Sequence, residues 1–204
     1  MTIYTTPLLS PILRGLSRLI LRILGWRSVG QLPHGVNKCV LTAAPHTTNW
    51  DFILFLLVAF DLNLPLYIMI KDNFFWWPLS VILRYCGVIP VNRANPIGLV
   101  KRVAQEFDKA PRFMLVITPE GTRSARTHWK TGFLRISHAA QVPVIFGFVD
   151  ASRRQAGLSE HIITPPKTLD EASINAVMTR LYAFHDDMEG LRPANYASPN
   201  RPAK

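Results

Sequence analysis

Short apolar runs alternate with longer helix-like segments through the middle of this sequence, and this alternation constrains the fold most strongly. Strands that alternate with helices pack as a mostly parallel sheet with helices on its faces. The sequence therefore predicts an α/β fold, a single domain with a mostly parallel central sheet flanked by helices and preceded by an N-terminal amphipathic helix. The predicted strands are residues 38–44, 66–70, 87–93, 113–117 and 142–149.

The size of the chain favours one domain. Its 204 residues, 49% of them hydrophobic, can bury one full core. We expect residues 1–30 to form an amphipathic membrane-surface helix and a linker, residues 31–190 to form the main domain, and residues 191–204 to be a basic, proline-rich, disordered tail. The two cysteines form no C-x-x-C pattern, so a reducing compartment is the default.

The segment after the first predicted strand places His46 five residues before Asp51. At about 100° per residue, the two side chains would lie roughly 140° apart on a regular helix and could not share a face. We therefore predict that His46 lies on a turn and that Asp51 opens the next helix, where Thr47, Thr48 and Asn49 offer capping side chains. A carboxylate beside an imidazole fixes its tautomer and stabilises the imidazolium, which suits a general base. The alternative is a helix N-terminus with an unrelated histidine.

A second polar cluster, residues 118–124, follows another predicted strand. In it, Gly121 lets the backbone approach a ligand, Arg123 offers a planar fork for phosphate, and Thr122 adds a hydroxyl. Glu120 would repel phosphate, so we expect it to hold an arginine or to accept a hydrogen bond from an acceptor hydroxyl. The alternative is a solvated polar turn after a strand.

The net charge of +10 favours polyanionic partners: nucleic acid, anionic lipid or a phosphate-bearing substrate. The basic residues are dispersed, and the sequence contains no helix-turn-helix, zinc-finger or RNP-type pattern. We therefore expect a membrane surface and a phosphorylated substrate as partners and no nucleic acid.

The N-terminal segment predicts a helix that lies in the membrane interface. Arg14, Arg18 and Arg22 are spaced four apart and span only about 80° of a helix, with leucine and isoleucine around the rest. Each arginine near an anionic leaflet can add about 1 kcal/mol of binding energy. The alternative is an amphipathic helix packed on its own domain.

The apolar stretch 52–70 is interrupted by polar residues and proline, so we predict no transmembrane span. The aromatic group 74–78 that follows it is either part of the core or a lipid contact.

Taken in order, these segments resemble the glycerophospholipid acyltransferase family, which includes the 1-acylglycerol-3-phosphate acyltransferases. Residues 46–51 match its H-x4-D block, 87–93 its second block, 119–124 its P-E-G-T-R-S block and 142–145 its V-P-[IV]-[IV] block. The resemblance covers roughly residues 38–149.

The resemblance implies that His46 is the base that deprotonates the acceptor hydroxyl and that Asp51 orients it. The co-substrate would be an acyl thioester of coenzyme A or acyl carrier protein, and no metal or other cofactor is needed. Because the sequence has no G-x-S-x-G elbow and no recognisable cysteine nucleophile motif, direct attack is simpler than an acyl-enzyme. The implied acceptor-binding residues are Arg93, Glu120, Gly121, Thr122 and Arg123, with Lys130 as a further phosphate ligand.

These implications together predict a monotopic O-acyltransferase of phospholipid biosynthesis on the cytoplasmic face of a membrane. Its partners would be a lysophospholipid acceptor such as 1-acylglycerol-3-phosphate, an acyl-CoA or acyl carrier protein, and an anionic membrane surface. The alternatives are an acyltransferase for another lipid or hydroxylated acceptor, and a non-catalytic membrane-associated lipid-binding protein on the same scaffold.

Overall fold

A computed structural model of the chain describes residues 2–92, 94, 96–198 and 200. These residues form six α-helices and seven strands, joined in places by short 3-10 turns. The helices are α1 (Leu9–Ile23), α2 (Asn49–Asp61), α3 (Leu79–Tyr85), α4 (Pro96–Glu106), α5 (Gly132–Ala140) and α6 (Glu171–His185). The strands are β1 (Arg27–Val29), β2 (Lys38–Ala44), β3 (Leu66–Lys71), β4 (Val88–Val91), β5 (Phe113–Ile117), β6 (Val144–Asp150) and β7 (Gln155–Ile163).

The described strands form one sheet in the order β1-β7-β6-β2-β5-β3-β4. All neighbouring pairs in it are parallel except β6 and β7, which are antiparallel. Strand β2 lies at the centre, between β5 and β6. The predicted single-domain α/β fold with a mostly parallel sheet is confirmed.

Successive residues of the central strands pack into separate cores on the two faces of the sheet. In β2, Val40 joins the core under α4, α5 and α6, whereas Cys39 and Leu41 join the core under α2. In β5, Met114 faces the α2 side, and Leu115 faces the other. Because helices cover both faces, these strands are apolar almost throughout, and the sequence pattern therefore predicted them.

Three elements were not anticipated. Strand β1 lies within the segment predicted to be a linker and pairs with β7, so residues 27–29 belong to the sheet. Strand β7 mixes polar and apolar residues, and its residues 160–162 are exposed, so it lacks the apolar run that identifies the central strands. Helix α3 follows Pro78 and is only seven residues long, so its sequence is too short to show a clear helical periodicity of apolar residues.

The tail prediction is wrong for residues 191–198. The hydroxyl of Tyr196 donates to the carbonyl oxygen of His185 at 2.9 Å, and both Ala197 and Ser198 are buried. Composition alone suggested disorder, but a few specific contacts hold this segment on the domain. Residues 199 and 201–204 lie outside the described residues.

Helix α1 is amphipathic, as predicted, and it packs on α2 with Leu21 buried. Two of its arginines contact the end of α2: Arg14 Nε donates to the carbonyl oxygen of Asp61 at 3.2 Å, and Arg18 Nε lies 2.8 Å from the Asp61 carboxylate. No helix in the described part of the chain combines the length and the apolar character needed to cross a membrane. The large apolar side chains left exposed along this segment are Leu8, Ile12, Leu16, Leu19, Ile23 and Leu24.

The contact between β1 and β7 requires a glycine at position 157, because a methyl group there would lie 1.8 Å from the carbonyl oxygen of Val29. We expect Gly157→Ala to lower the free energy of unfolding by about 1–3 kcal/mol, the usual cost of overpacking. The matched control is Gly15→Ala in α1, where no atom lies within 4 Å of the added carbon. This change should raise the free energy of unfolding by about 0.5–1 kcal/mol. Urea unfolding measures both, and an unaltered midpoint for Gly157→Ala would contradict the described pairing.

Candidate active site

The two polar loops that the sequence singled out meet at one edge of the sheet. Strands β2 and β5 are parallel neighbours in the register Thr42 opposite Ile117, so their carboxyl ends lie side by side. The loop with His46 follows β2, and the loop 118–124 follows β5. This edge is where open α/β sheets bind their ligands.

The His46 ring is oriented by Asp51. Its Nδ1 lies 3.4 Å from Asp51 Oδ2, and its side chain keeps about 23% of its surface exposed while the aspartate is almost fully buried. The ring is therefore tied to a carboxylate on one side and accessible to a substrate.

Local sequence explains why Asp51 stands where it does. Thr48 is the N-cap of α2, and its hydroxyl accepts the main-chain N–H of Trp50 at 3.0 Å. Asp51, at the third helical position, completes a capping box by accepting the N–H of Thr48 at 2.6 Å, and it also accepts that of Thr47. His46 thus lies on the turn and Asp51 in the first turn of the helix, as predicted.

The hydrogen bonds around Asp51 decide its protonation. Burial alone would raise the pKa of Asp51, but hydrogen bonds from His46 and from the main-chain N–H groups of Thr48 and Thr47 outweigh it and leave the pKa below its ordinary value. Asp51 is therefore a carboxylate at neutral pH, the form that pairs with an imidazolium.

Glu120 lies behind His46, not in the open site. Its carboxyl oxygens accept the main-chain N–H of His46 at 2.9 and 3.1 Å, and its side chain is buried. Burial, with a smaller contribution from the nearby charge of Asp51, raises the pKa of Glu120 to about 8 against the opposing effect of the hydrogen bond from His46. The sequence suggested an arginine or a substrate hydroxyl as its partner, whereas the structure shows a backbone partner.

A cavity of about 1260 Å³ opens at this edge of the sheet. Its walls are mainly apolar and come from α2, β3, β5 and β6. A second cavity of about 1190 Å³ lies between α4 and α5. The lining residues that it shares with the first are Met69, Leu99, Ile117, Thr118 and Lys130. The residues predicted for the site that line the first cavity are His46, Asp51, Gly121, Thr122, Arg123 and Lys130.

Two cations of the described residues, Arg123 and Lys130, line this cavity. Arg123 Nη1 donates to Asn49 Oδ1, which links the second loop to the start of α2. The Lys130 side chain lies across Gly121, where an added Cβ would come within 2.9 Å of three Lys130 side-chain atoms and where φ is +67°. The left-handed backbone at this position favours glycine, and any added side chain would displace the Lys130 side chain.

The structure thus brings six of the eight predicted site residues to one cavity and places Glu120 behind the histidine. Arg93, the eighth, lies outside the described residues. Among the residues that are described, no three His, Cys, Asp or Glu side chains group together in a way that could hold a metal ion. Asn49 was recognised only as a capping candidate, because the sequence holds no signal of its contact with Arg123 74 positions on.

A family model described as Acyltransferase matches residues 28–145. No curated protein sequence matches the chain. Among solved structures, the chain is similar to the 1-acyl-sn-glycerophosphate (LPA) acyltransferase PlsC from Thermotoga maritima, with a TM-score of 0.56 and 13% sequence identity over 84% of this chain and 78% of that one. At this identity the structural match shows a shared fold.

The raised pKa of Glu120 predicts a pH-dependent stability. The folded protein holds this proton up to about pH 8, whereas the unfolded chain releases it near the ordinary value of 4.5. Between these values the folded state binds more protons, so stability should fall as pH rises, by up to about 1.4 kcal/mol per pH unit. Glu120→Gln should lose this slope in urea unfolding from pH 5 to 8, while Glu160→Gln, at an exposed position on β7, should keep it. Parallel curves for Glu120→Gln and the wild type would contradict the assignment.

Proposed function

The chain belongs to the acyltransferase family, and from that premise we propose that it moves a fatty acyl group from an acyl thioester to the hydroxyl of a phosphate-bearing lysolipid such as 1-acylglycerol-3-phosphate. One observation carries the proposal: the His46–Asp51 pair and two cations line the same largely apolar cavity. An acceptor with a fatty chain, a hydroxyl and a phosphate matches each of these features.

In this reaction, the Nε2 atom of His46 takes the proton from the acceptor hydroxyl while Nδ1 faces Asp51. The acceptor oxygen attacks the thioester carbonyl carbon and forms a tetrahedral oxyanion. Its collapse breaks the carbon–sulfur bond, and the departing thiolate takes the proton from the imidazolium, which restores neutral His46. The ionised Asp51 stabilises the imidazolium between these steps.

The cavity walls suit both substrates. Arg123 and Lys130 offer charge-assisted hydrogen bonds to a phosphate, with Arg123 held in place by Asn49. The reaction brings together two fatty chains, one on the donor and one on the acceptor. Two adjoining cavities that meet at Lys130 offer separate apolar walls for them. Coenzyme A and acyl carrier protein are both candidate carriers of the donor.

We further propose that the protein works as a monotopic enzyme on the cytoplasmic face of a membrane, held through α1. Arg14 and Arg18 contact Asp61, so part of the polar face of α1 is directed towards α2. The apolar side chains on the outer side of α1 are exposed. The negative surface potential of a cytoplasmic leaflet attracts a chain with a net charge of +10.

A second apolar surface adjoins α1. Ile3 N donates to the carbonyl oxygen of Tyr85 at 2.8 Å, and Thr6 Oγ1 lies 2.7 Å from the Tyr85 hydroxyl, so the N-terminal segment runs beside the end of α3. Tryptophan is enriched at membrane interfaces, where its ring is half apolar and half polar. The exposed apolar side chains on and before α3 are Phe74, Trp76, Trp77, Val81 and Ile82.

We expect His46→Ala to lower the rate of acyl transfer by about 10² to 10⁴, the usual contribution of a general base. The measurement is ester formation from radiolabelled acyl-CoA or acyl carrier protein thioesters with a panel of lysolipids. His34→Ala, which removes an exposed imidazole from a distant loop, is the matched control and should retain the wild-type rate. Full activity in His46→Ala would refute the mechanism. If the folded wild type forms no ester with any donor in the presence of lipid, the chain is better described as a lipid-binding protein.

The membrane proposal predicts that Ile12→Glu weakens binding to anionic vesicles. Burial of one such side chain is worth about 1.5–3 kcal/mol, so the vesicle-bound to free ratio should fall at least about tenfold. Ile162→Glu makes the same change at a partly exposed isoleucine on β7 and should leave sedimentation with vesicles unaltered. Equal binding by Ile12→Glu and the wild type would show that another surface contacts the lipid.

A further inference from the structure

The C-terminal segment contacts the loop that carries His46. Its Arg192 main-chain N–H donates to Thr47 Oγ1 at 3.1 Å, and Asn195 Nδ2 donates to the Thr47 carbonyl oxygen at 3.1 Å. Gly190 packs so closely on Thr47 that an added Cβ would lie 2.3 Å from Thr47 Cγ2. Thr47 itself is almost fully buried, at 1% exposure. The residue next to the histidine is therefore enclosed by a segment about 145 positions away in sequence.

The direction of these hydrogen bonds follows from the donors. The Arg192 N–H can only donate, so the Thr47 hydroxyl accepts from it and directs its own hydrogen elsewhere. Its other partners are the Asp51 carboxylate oxygens, at 3.3 and 3.5 Å, which can only accept. The chain of bonds thus runs from Arg192 through the Thr47 hydroxyl to Asp51, which holds His46.

This segment is anchored on both sides of its contact with the loop. Before it, the Glu189 carbonyl oxygen accepts the N–H of Ala151 at 2.8 Å, and Leu191 packs against the core that contains Leu21 and Leu54. After it, the Tyr196 hydroxyl bonds the end of α6. Residues 190–195 therefore bridge two fixed points and can hold the loop in one position.

We propose that residues 190–195 position the His46–Asp51 pair through Thr47, with Asn195 and Thr47 as positioning residues. The inference rests on the proposed function for its consequence in catalysis. Displacement of a catalytic group by about 1 Å can cost about 10²-fold in rate. A loop that is held at Thr47 as well as at its two ends keeps His46 in place better than a loop held only at its ends. The segment lies outside residues 28–145, so this support is separate from the part of the chain that the family model matches.

The first test compares Asn195→Ala and Thr47→Val with the wild type in the transfer assay. Asn195→Ala removes the bond to the Thr47 carbonyl oxygen, whereas Thr47→Val removes the hydroxyl that bonds both Arg192 and Asp51. Each variant should lower kcat about tenfold and leave KM for both substrates within about twofold of the wild-type value. Thr47→Ser keeps the hydroxyl and should recover kcat to within about threefold of the wild type. Asn200→Ala removes an exposed amide beyond residues 190–195 and should match the wild type. Wild-type kcat in both Asn195→Ala and Thr47→Val would overturn the inference.

A double-mutant cycle separates positioning from loss of folded protein. If the bridge acts through Asp51, then adding Asn195→Ala or Thr47→Val to Asp51→Asn should change the residual rate less than about twofold. A merely structural role would lower the rate by the same factor in both backgrounds. That additive result would overturn the proposal.

Hydrogen exchange provides a readout that needs no activity. The amides of Thr47 and Thr48, which bond to Asp51, should exchange at least about tenfold faster in Asn195→Ala than in the wild type or Asn200→Ala. Unaltered exchange would overturn the inference even in an active enzyme. Faster exchange in a protein that forms no ester would support the bridge and count against the proposed function, so the two failures are distinguishable.

Discussion

The rest of the candidate site depends on the hydrogen bonds that the Asp51 carboxylate accepts. It accepts main-chain N–H groups at the start of α2, completes the capping box with Thr48, and holds the His46 ring through Nδ1. One side chain therefore sets both where the helix begins and how the imidazole is oriented. Its buried position would disfavour the charged form, but the several donors keep it ionised.

Two buried carboxyl groups, Asp51 and Glu120, contact His46, and their pKa values are shifted in opposite directions. Asp51 has several donors and a lowered pKa, whereas Glu120 has a pKa raised to about 8 because burial dominates over its bond from the His46 backbone. Asp51 contacts the ring and Glu120 contacts the main chain. Such divergence between neighbouring groups is the usual sign of separate roles. In the proposed reaction, Asp51 supports the charge on the ring, and Glu120 holds the turn that presents it.

The scaffold explains how a chain only 13% identical to the Thermotoga maritima enzyme keeps the same fold. Parallel strands bring the loops after β2 and β5 to one edge, and helices on both faces provide apolar walls beside it. A site of this kind depends on a few loop residues and on the packing that holds them, while most of the core can vary. The C-terminal bridge to Thr47 is an example of such packing, since each of its two bonds joins one main-chain atom to one side-chain atom.

The sequence by itself determined the central strands, the capped start of α2 and the two loops that form the site. Apolar runs and capping side chains are local patterns, and they act over a few residues. The tertiary structure decided the rest. The partner of Glu120 is a backbone N–H, and the pairing of β1 with β7 depends on a distant, partly polar strand. Composition predicted that residues 191–198 would be disordered, but hydrogen bonds to Thr47 and to the main chain of His185 hold this segment on the domain. Backbone donors and long-range contacts leave no periodic signal in a sequence, so only the folded chain reveals them.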